Sequence, residues 1–188
     1  MRISNSFSTM DGHLGPLDGW LCITNKPWDV ANPVDYFSGH YQRFGLNVQA
    51  MCDAHLRIIY FCVCGPGKMN DAKAFRRLKG LHKWLDAMAE DEFISGDNAY
   101  PLQNNILIPY SGAEKFDEYK LVYNYLLCQL RIRIEMTFGR LTTKWRIFRT
   151  NLTYSTPKNS LICRVGARLH NYVINYDMKK KKRFKFIL

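Results

Sequence analysis

Two aspartates stand where short apolar runs end in this chain of 188 residues. Asp18 lies in Leu-Asp-Gly and Asp97 in Ile-Ser-Gly-Asp-Asn-Ala-Tyr. Aspartate is depleted in β-strands, so an aspartate at the end of an apolar run requires either a turn or a functional role. A third acid, Glu135, lies inside a long helical pattern. Carboxylates placed on strands and on a helix in this way are able to converge on one point.

The hydrophobic periodicity predicts the order strand, strand, strand, helix, strand, long helix. Strands are predicted at residues 17–24, 46–52, 58–64 and 93–97, the first three of them antiparallel. Helices are predicted at residues 71–89, 118–138 with a bend at Gly139, and 157–176. Residues 25–44 and 98–117 are predicted to be loops. This order is typical of an α/β fold with a mixed β-sheet flanked by helices, in which the first and fourth strands bring Asp18 and Asp97 side by side if they are neighbours.

The chain is long enough for one domain with a sizeable core. We predict a leader at residues 1–13, a single domain at residues 14–176 and a basic tail at residues 177–188. The six cysteines show no Cys-x-x-Cys pair and are interpreted as reduced core thiols of an intracellular protein. No apolar run approaches the roughly 18 residues that a membrane-spanning helix requires, so no membrane partner is expected.

The three acids point to a metal site. Carboxylates that converge within a few ångströms repel one another, and each raises the pKa of its neighbour. A hard divalent cation such as Mg²⁺ or Mn²⁺ relieves that repulsion, because it prefers oxygen ligands. Two such ions about 3.5–4 Å apart activate a water or a 3′-hydroxyl and stabilise the leaving oxygen of a phosphodiester. Asp18, Asp97 and Glu135 are therefore candidates for metal-dependent chemistry on a phosphodiester.

Each acid also has an ordinary structural interpretation. Glycine lies beside both Asp18 and Asp97, so each is compatible with a plain turn. Glu135 has Arg131 four residues earlier, a spacing that suits either an ion pair on the helix surface or an arginine that orients the carboxylate. Asp71 follows Gly-Pro-Gly-Lys-Met-Asn and is a further candidate for the metal site, with capping of the next helix as its alternative.

The net charge of +11 is concentrated at the C-terminal end. Residues 131–188 carry 15 Lys and Arg against 2 Asp and Glu, whereas residues 1–130 carry 12 against 14. A polyanion is therefore expected to bind the C-terminal third, although a solvated basic helix face is the alternative. The candidates for DNA phosphate contacts are Arg131, Arg140, Lys144, Arg146 and Arg149.

The last residues form a basic run from Lys179 to Arg183. This run resembles a short nuclear-import signal, which predicts a nuclear protein. Nonspecific contact with DNA is the competing interpretation. Because the run at residues 179–183 contains no acidic residue, it is expected to be disordered.

An ordered series of short motifs runs through the chain. It includes Leu-Asp-Gly-Trp at 17–20, Gly-Pro-Gly-Lys-Met-Asn-Asp at 65–71, Gly-Asp-Asn-Ala-Tyr-Pro at 96–101 and Arg-Leu-His-Asn at 168–171. Residues 41–53, 109–110, 124 and 131–139 complete the series. Together these motifs resemble the transposases of the Harbinger type and their domesticated relatives, that is, the DDE superfamily endonuclease domain. The resemblance covers about residues 14–176, and the ordered series is far more specific than any of its members.

The resemblance implies an RNase H-like fold and a nuclease and strand-transfer site that uses divalent metal, Mg²⁺ or Mn²⁺, as two ions. By the family's motif, Asp18, Asp97 and Glu135 form the catalytic triad, with Asp71 as a further acid of the metal site. It also implies DNA as the partner and, in some members, a separate Myb-like DNA-binding protein. Residues 68–70 depart from the small or His-containing sequence that usually precedes the acid at position 71.

We therefore predict a metal-dependent DNA endonuclease and strand-transferase domain of a Harbinger-type transposase or a domesticated derivative. The alternative is a catalytically inactive or truncated domain that binds DNA or a protein without cutting, and a weaker one is a nuclease outside transposition. The chain begins almost at the first motif, as expected of a fragment lacking the N-terminal DNA-binding region common in the family. The terminal repeat, the target site and the oligomeric state are not specified by the sequence.

Overall fold

The computed structural model describes residues 10–112 and 117–185, the last five of these by their backbone alone. The strands are β1 (His13–Ile23), β2 (Phe37–Ser38), β3 (Arg43–Cys52), β4 (Ile58–Pro66), β5 (Phe93–Ser95) and β6 (Ile106–Leu107). The helices are α1 (Asp71–Phe75), α2 (Lys79–Leu85), α3 (Glu118–Lys144) and α4 (Thr156–Lys185). Two 3-10 helices lie at Pro33–Tyr36 and Arg146–Arg149.

The six strands form one mixed sheet with β1 near its centre. β1 pairs antiparallel with β3 on one side and parallel with β5 on the other. β3 pairs antiparallel with β4 and, at its start, with β2, while β5 pairs parallel with β6. The antiparallel series β1, β3, β4 confirms the prediction from the periodicity. The sheet with helices on both faces confirms the predicted α/β fold of the RNase H-like class.

Alternation along β3 divides the core between the two faces of the sheet. Leu46, Val48 and Ala50 face α3 and α4, whereas Met51 faces α1 and α2. The core under α1 and α2 consists of Leu17, Met51, Phe75, Leu78, Leu81, Leu85, Ile94, Tyr100 and Ile106. A second core, on the other face, consists of Cys22, Leu46, Val48, Leu141, Phe148, Leu152 and Cys163. The polar side chains of Asn47 and Gln49 interrupt the face of β3 that packs against α1 and α2. Both residues belong to the candidate active site described below.

Several predicted boundaries were wrong. The helix predicted over 71–89 is two short helices, α1 and α2, and this break buries both Phe75 and Leu78 in one core. The loop predicted over 98–117 contains β6, and the loop over 25–44 contains β2.

α3 passes through Gly139 without ending there. One glycine costs a helix only about 1 kcal/mol, less than the burial of residues such as Ile134 and Leu141 contributes.

α4 also extends further than the periodicity predicted. It continues to Lys185, so the expectation that the basic run at residues 179–183 is disordered is wrong. Lysine and arginine are good helix formers, and cations are favourable near a helix C-terminus. The described residues do not include residues 1–9 of the predicted leader, residues 186–188 or the side chains of residues 181–183. The predicted division of the chain at residues 1–13, 14–176 and 177–188 stays a prediction. No helix of the described residues is both long enough and apolar enough to cross a membrane.

Hydrogen bonds from α4 hold the start of β4. The Asn171 side chain donates to the Ile58 carbonyl and accepts from the Ile58 N–H, both at 2.7 Å. His170 Nε2 lies 2.8 Å from the Leu56 carbonyl oxygen, where the backbone takes a φ of 65°. An Arg140–Asp177 ion pair of 2.9 Å links α4 to α3. These contacts fix the far edge of the sheet to the helical layer.

Replacement of Asn171 by Ala is expected to lower the free energy of unfolding by about 2 kcal/mol, because it leaves two backbone groups of Ile58 without their partners. Urea denaturation at an unchanged m-value measures this loss. Asn175→Ala is the matched control, since Asn175 is exposed one turn later on the same helix, and it should change stability by less than about 0.5 kcal/mol. Equal losses in the two variants would contradict the assignment.

Candidate active site

Strand pairing brings Asp18 and Asp97 together. The parallel register of β1 and β5 places Pro16 opposite Ser95. Asp18 follows two residues later within β1, and Asp97 follows two residues after the end of β5. Neighbouring strands lie about 4.8 Å apart, so this register brings the two aspartates close to each other. Both residues line one cleft of about 470 Å³. The charge of Asp97 also acts on the pKa of Asp18.

Asp18 lies in the interior of β1, which begins at His13 and continues five residues beyond it. The interpretation of Asp18 as a turn residue is therefore wrong. Its Oδ1 accepts a hydrogen bond of 2.8 Å from the Gly19 N–H. Burial raises the pKa of the Asp18 carboxyl to about 6, and the negative charges of Asp97 and Asp71 add to that rise, whereas the Gly19 N–H and the Arg131 charge oppose it. A negative charge at Asp18 is thus poorly solvated and has negative neighbours.

Asp97 lies two residues after the end of β5. Its Oδ1 accepts from the Ala99 N–H at 2.9 Å, the local bond of an aspartate that starts a turn. The turn interpretation therefore holds for the backbone here, and the same side chain lines the cleft. A Cβ at Gly96 would lie 2.8 Å from the Tyr100 ring, so glycine permits this close approach.

Asp71 occupies the first turn of α1 without capping it. Asn70 is the N-cap residue, and its Oδ1 accepts from the Lys73 N–H at 2.9 Å. The capping alternative for Asp71 is therefore wrong. Its Oδ1 instead accepts a hydrogen bond of 2.7 Å from Nε2 of Gln49, a residue of β3. The Asp71 carboxylate is held at the cleft by a side chain of β3.

A buried polar layer beneath Asp71 was missed from the sequence. Gln49 is fully buried, and its Nε2 donates both to Asp71 and to Asn47 Oδ1 at 3.1 Å. Its Oε1 accepts from the Tyr100 hydroxyl at 2.5 Å. Asn47 Nδ2 donates to the Met69 carbonyl at 2.9 Å. The signal was Asn-x-Gln on one face of an otherwise apolar strand.

Gly19 provides the space in which Asp71 reaches β1. Gly19 lies opposite Gln49 in the register of β1 and β3. A Cβ at Gly19 would collide with Asp71 Oδ1 and with Gln49 Nε2. The Leu-Asp-Gly motif thus serves two acids, because the glycine after Asp18 admits the carboxylate of Asp71.

α3 brings Arg131 into the cleft and leaves Glu135 outside it. The Trp20 ring of β1 stacks on the Phe138 ring of α3 at 5.9 Å between centroids, which sets the helix over the strand that carries Asp18. Arg131 lines the cleft, and its Nε is buried without a hydrogen-bond partner among the described residues. Glu135 is exposed one turn later and is not among the residues that line the cleft. Its predicted catalytic role stays a prediction.

Negative charge dominates the cleft. The three carboxylates face the guanidinium of Arg131 and the ammonium of Lys68. Lys68 is 68% exposed at its side chain and forms a loose ion pair of 3.8 Å with Asp35. Ser38, His40 and Tyr41 also line the cleft. The cleft therefore combines three acidic residues with neutral polar ones.

The donor set suits a hard divalent cation, although it is not a preformed cage. Across residues 10–112 and 117–185, no three His, Cys, Asp or Glu side chains form a ready metal-binding group. Mg²⁺ usually takes only one or two protein carboxylates and keeps water or phosphate oxygens in its other positions. A cation would also relieve the unfavourable charge that the raised pKa of Asp18 reports. The residues present therefore fit Mg²⁺ or Mn²⁺ in chemistry.

The other four predicted phosphate-binding residues are not among those that line the cleft. Arg140, Lys144, Arg146 and Arg149 are all exposed at the end of α3 and in the 3-10 helix that follows it. Arg140 is paired with Asp177, as described above, and Arg149 Nη2 donates to Thr143 Oγ1 at 2.9 Å. The interleaved aromatic residue Phe148 is buried and packs in the core, so it anchors this basic turn and presents no face to a base.

Comparisons with known proteins agree with this architecture. The sequence matches the family described as DDE superfamily endonuclease over residues 17–171. It is 24% identical over 178 residues to the protein named Protein ALP1-like of Arabidopsis thaliana. The matched region covers 87% of this chain and 43% of that protein. The chain therefore spans less than half the length of that relative. No solved structure matches the chain at a significant level.

The family match includes Asp18, Asp71, Asp97, Arg131 and Glu135, and it confirms the resemblance drawn from the ordered motifs. Because it extends over most of the chain, the protein is a member of the DDE superfamily endonuclease family.

Proposed function

We propose that this domain is a metal-dependent DNA endonuclease and strand-transferase of the Harbinger transposase type or a domesticated derivative. The observation that carries the proposal is the meeting of Asp18, Asp71 and Asp97 with Arg131 in one acidic cleft. The family match supports nuclease chemistry, and the basic C-terminal third supports a nucleic acid as the substrate.

In this proposal Asp18 and Asp97 hold the divalent metal, with Asp71 as a further ligand. Bound Mg²⁺ or Mn²⁺ supplies charge neutralisation and activates water, or a freed 3′-hydroxyl, for in-line displacement at a phosphodiester. Gln49 keeps the Asp71 carboxylate in one orientation, because every polar atom of its own amide is already bonded. Burial of Asp18 strengthens its preference for a cation over water.

Arg131 is the proposed phosphate ligand inside the cleft. Its buried Nε has no partner among the described residues, and a planar guanidinium suits the oxygens of a phosphodiester. A phosphate oxygen would satisfy that donor and place the scissile bond beside the three carboxylates. Outside the cleft, Arg140, Lys144, Arg146 and Arg149 would bind flanking phosphates without reading sequence.

Nuclear location and an accompanying Myb-like DNA-binding protein belong to the same proposal. The basic run that begins at Lys179 supports the first, and the family resemblance supports the second. The described part of this run continues α4, so a receptor for it would meet a helix at residues 179–180 and not an extended tail.

A second candidate function is DNA binding without cleavage. The position of Glu135 favours it, because the side chain that the family motif makes the third catalytic acid is exposed outside the cleft. A domain with an incomplete acid set would still bind DNA through its basic surface. The two candidates differ in whether strand nicking depends on Asp18 and Asp97.

Asp18→Asn and Asp97→Asn are each expected to lower Mg²⁺- or Mn²⁺-dependent nicking of supercoiled DNA by at least about a hundredfold, or ~2.7 kcal/mol in the barrier. Each change removes a carboxylate that the metal requires while keeping the side-chain volume. The assay uses the purified full chain and scores relaxed circles on a gel. Asp86→Asn is the matched control, because Asp86 is an exposed acid at the end of α2. This variant should nick DNA at the wild-type rate.

The same panel identifies the third acid. If Asp71 supplies it, Asp71→Asn abolishes nicking and Glu135→Gln retains it, whereas the reverse result assigns the role to Glu135. Equal weak nicking in the wild type and every variant would remove the enzymatic proposal and leave DNA binding without cleavage.

The raised pKa of Asp18 predicts a pH-dependent stability in the absence of metal. Because the folded-state pKa of about 6 exceeds the unfolded value of 3.8, the folded protein keeps a proton that the unfolded chain loses. The free energy of unfolding contributed by Asp18 therefore falls as pH rises from about 4 to about 6, by roughly 2–3 kcal/mol, and is constant above that range. Urea denaturation in EDTA at several pH values measures it.

The control is the difference between the wild type and Asp18→Asn at each pH. Subtraction removes the contribution of His13, whose pKa burial lowers to about 4 and which therefore has the opposite pH dependence. A difference that stays constant between pH 4 and pH 6 would show that the Asp18 carboxyl is not shifted.

The basic surface predicts a measurable salt dependence of DNA binding. Lys144→Ala combined with Arg146→Ala should lower the slope of log K against log salt concentration by about 2, since each lost phosphate contact removes roughly 0.9. Fluorescence anisotropy on a labelled duplex measures the slope. Lys79→Ala with Lys83→Ala, two exposed lysines of α2, makes the same change in charge and should leave the slope unchanged. An equal effect of both pairs would refute a localised DNA surface.

A further inference from the structure

The strand β4 presents a free edge. β4 pairs with β3 on one side, and no described residue adds a strand to its other side. An edge strand carries outward-facing N–H and C=O groups on alternate residues, which are able to pair with another chain. β4 is nine residues long, longer than the edge strand β6 on the opposite side of the sheet.

The usual devices that block an edge strand are weak in β4. Its sequence, Ile-Ile-Tyr-Phe-Cys-Val-Cys-Gly-Pro, carries no charged residue, and its proline comes at the end. The register of the β3–β4 pair shifts near Met51 and near Asn47 of β3. Between these two shifts, residues 60–63 of β4 pair regularly with β3. Natural proteins ordinarily protect such a stretch with charges, proline or a covering segment. An uncharged edge of this kind is suited to accept a strand.

A groove of about 240 Å³ lies between this edge and α4. Its floor includes Ile59, which is 41% exposed, and Phe61. Its wall is formed by Arg164, Arg168 and Asn171 of α4. The floor is therefore apolar and the wall is cationic.

Asn171 already makes the bonds of a neighbouring strand at one position. Its amide donates to the Ile58 carbonyl and accepts from the Ile58 N–H, the two bonds that a paired residue of an antiparallel strand would make. The amide closes the edge at Ile58 and leaves the rest of β4 open. A docked strand would thus begin beside Asn171 and run along residues 60–63.

The charges at the groove select the occupant. Arg164 and Arg168 are both exposed, and neither has a carboxylate partner among the described residues. Within the part of the chain that the structure describes, Arg164 Nη2 donates a hydrogen bond of 3.1 Å to Ser160 Oγ. We infer that the free edge of β4 is a docking site for an extended segment of a partner protein in which acidic and apolar residues alternate. The backbone of that segment pairs with β4, and its carboxylates point to the face of the sheet that carries α4, where they meet the two arginines. Its apolar side chains point to the opposite face, beside the half-buried Tyr60 and Cys62.

A second copy of this chain fits the groove less well. Two copies that paired through β4 would bring their own Arg164 and Arg168 side chains towards each other, and like charges at an interface are unfavourable. The strand β4 carries no acid to offset them. An acidic segment of another protein meets no such repulsion.

The docking groove is separate from the acidic cleft. Ile58 lies opposite Cys52 at one end of the β3–β4 pair, whereas Asn47, which lines the cleft, lies opposite Gly65 at the other. Seven residues of extended strand separate the two ends, which is roughly 23 Å. Binding at the groove is therefore measurable without disturbing the metal-binding acids.

The test uses a fluorescein-labelled nonapeptide in which Val and Glu alternate, added to the full chain and followed by anisotropy. We expect saturable binding that weakens at least tenfold in Arg164→Glu/Arg168→Glu and is regained by that variant with a Val–Lys peptide. A Val–Glu peptide with N-methylated backbone amides should not bind, because it cannot pair with the edge. Hydrogen exchange should show protection limited to β4. Ile59→Glu, which places a negative charge against the carboxylates of the peptide, should also weaken binding, while metal-dependent nicking stays unchanged.

Four results would overturn the inference. The first is no saturable binding of the Val–Glu peptide, or equal binding of its N-methylated form. The second is a concentration-dependent dimer in sedimentation that Ile59→Lys converts to a monomer, which would assign the edge to a second copy. The third is binding that appears only after deletion of residues 1–9, which would assign it to that segment. The fourth is loss of duplex DNA affinity in Arg164→Glu/Arg168→Glu without any peptide binding, which would make the wall a DNA surface.

Discussion

The pairing of β1 with two different neighbours is the constraint on which the site depends. Its antiparallel partner β3 supplies Gln49 opposite Gly19, and its parallel partner β5 leads into Asp97 beside Asp18. Strand registers are strongly specified where both faces are buried, because a slip of one residue turns every side chain to the other face. The sheet therefore fixes the carboxylates through the same hydrophobic burial that stabilises the fold, and the charges contribute little to that placement.

Clustered carboxylates cost free energy in the apo protein, and the surrounding residues limit that cost in two ways. Asp71 receives one hydrogen bond from the buried amide of Gln49, whose other N–H donates to Asn47 and whose oxygen accepts from Tyr100. A fully bonded buried network is rigid, whereas an unsatisfied one would be strongly destabilising. Asp18 receives one backbone hydrogen bond and retains a raised pKa, so it holds a proton at low pH. A cation bound at the cleft would therefore favour loss of the proton from Asp18.

Sequence periodicity predicted the antiparallel strands, the long helices and the position of Asp97 after a short strand, because each is a local pattern of apolar residues. It placed Asp18 at a strand boundary, whereas β1 begins earlier, at His13, and carries Asp18 in its interior. It did not predict β6, whose two residues are held by pairing with β5 and by no pattern of their own. It also missed Gln49 and Tyr100, which acquire a role only when β3, α1 and the turn after β5 meet in space. The same lack of tertiary information left Asp71 open between a cap and a site residue. Asn70 resolves that choice by capping α1 itself.

The orientation of α3 bears on which acid completes the site. Each residue turns a helix by about 100°, so Glu135 lies about 40° further round α3 than Arg131. The buried stripe that includes Leu130, Ile134 and Leu141 lies on the other side of Arg131, and rotation of the helix towards Glu135 would expose it. An approach of Glu135 to the cleft must therefore come from its own side-chain torsions. Asp71 needs no such movement to reach the cleft, since Gln49 already holds its carboxylate against Gly19.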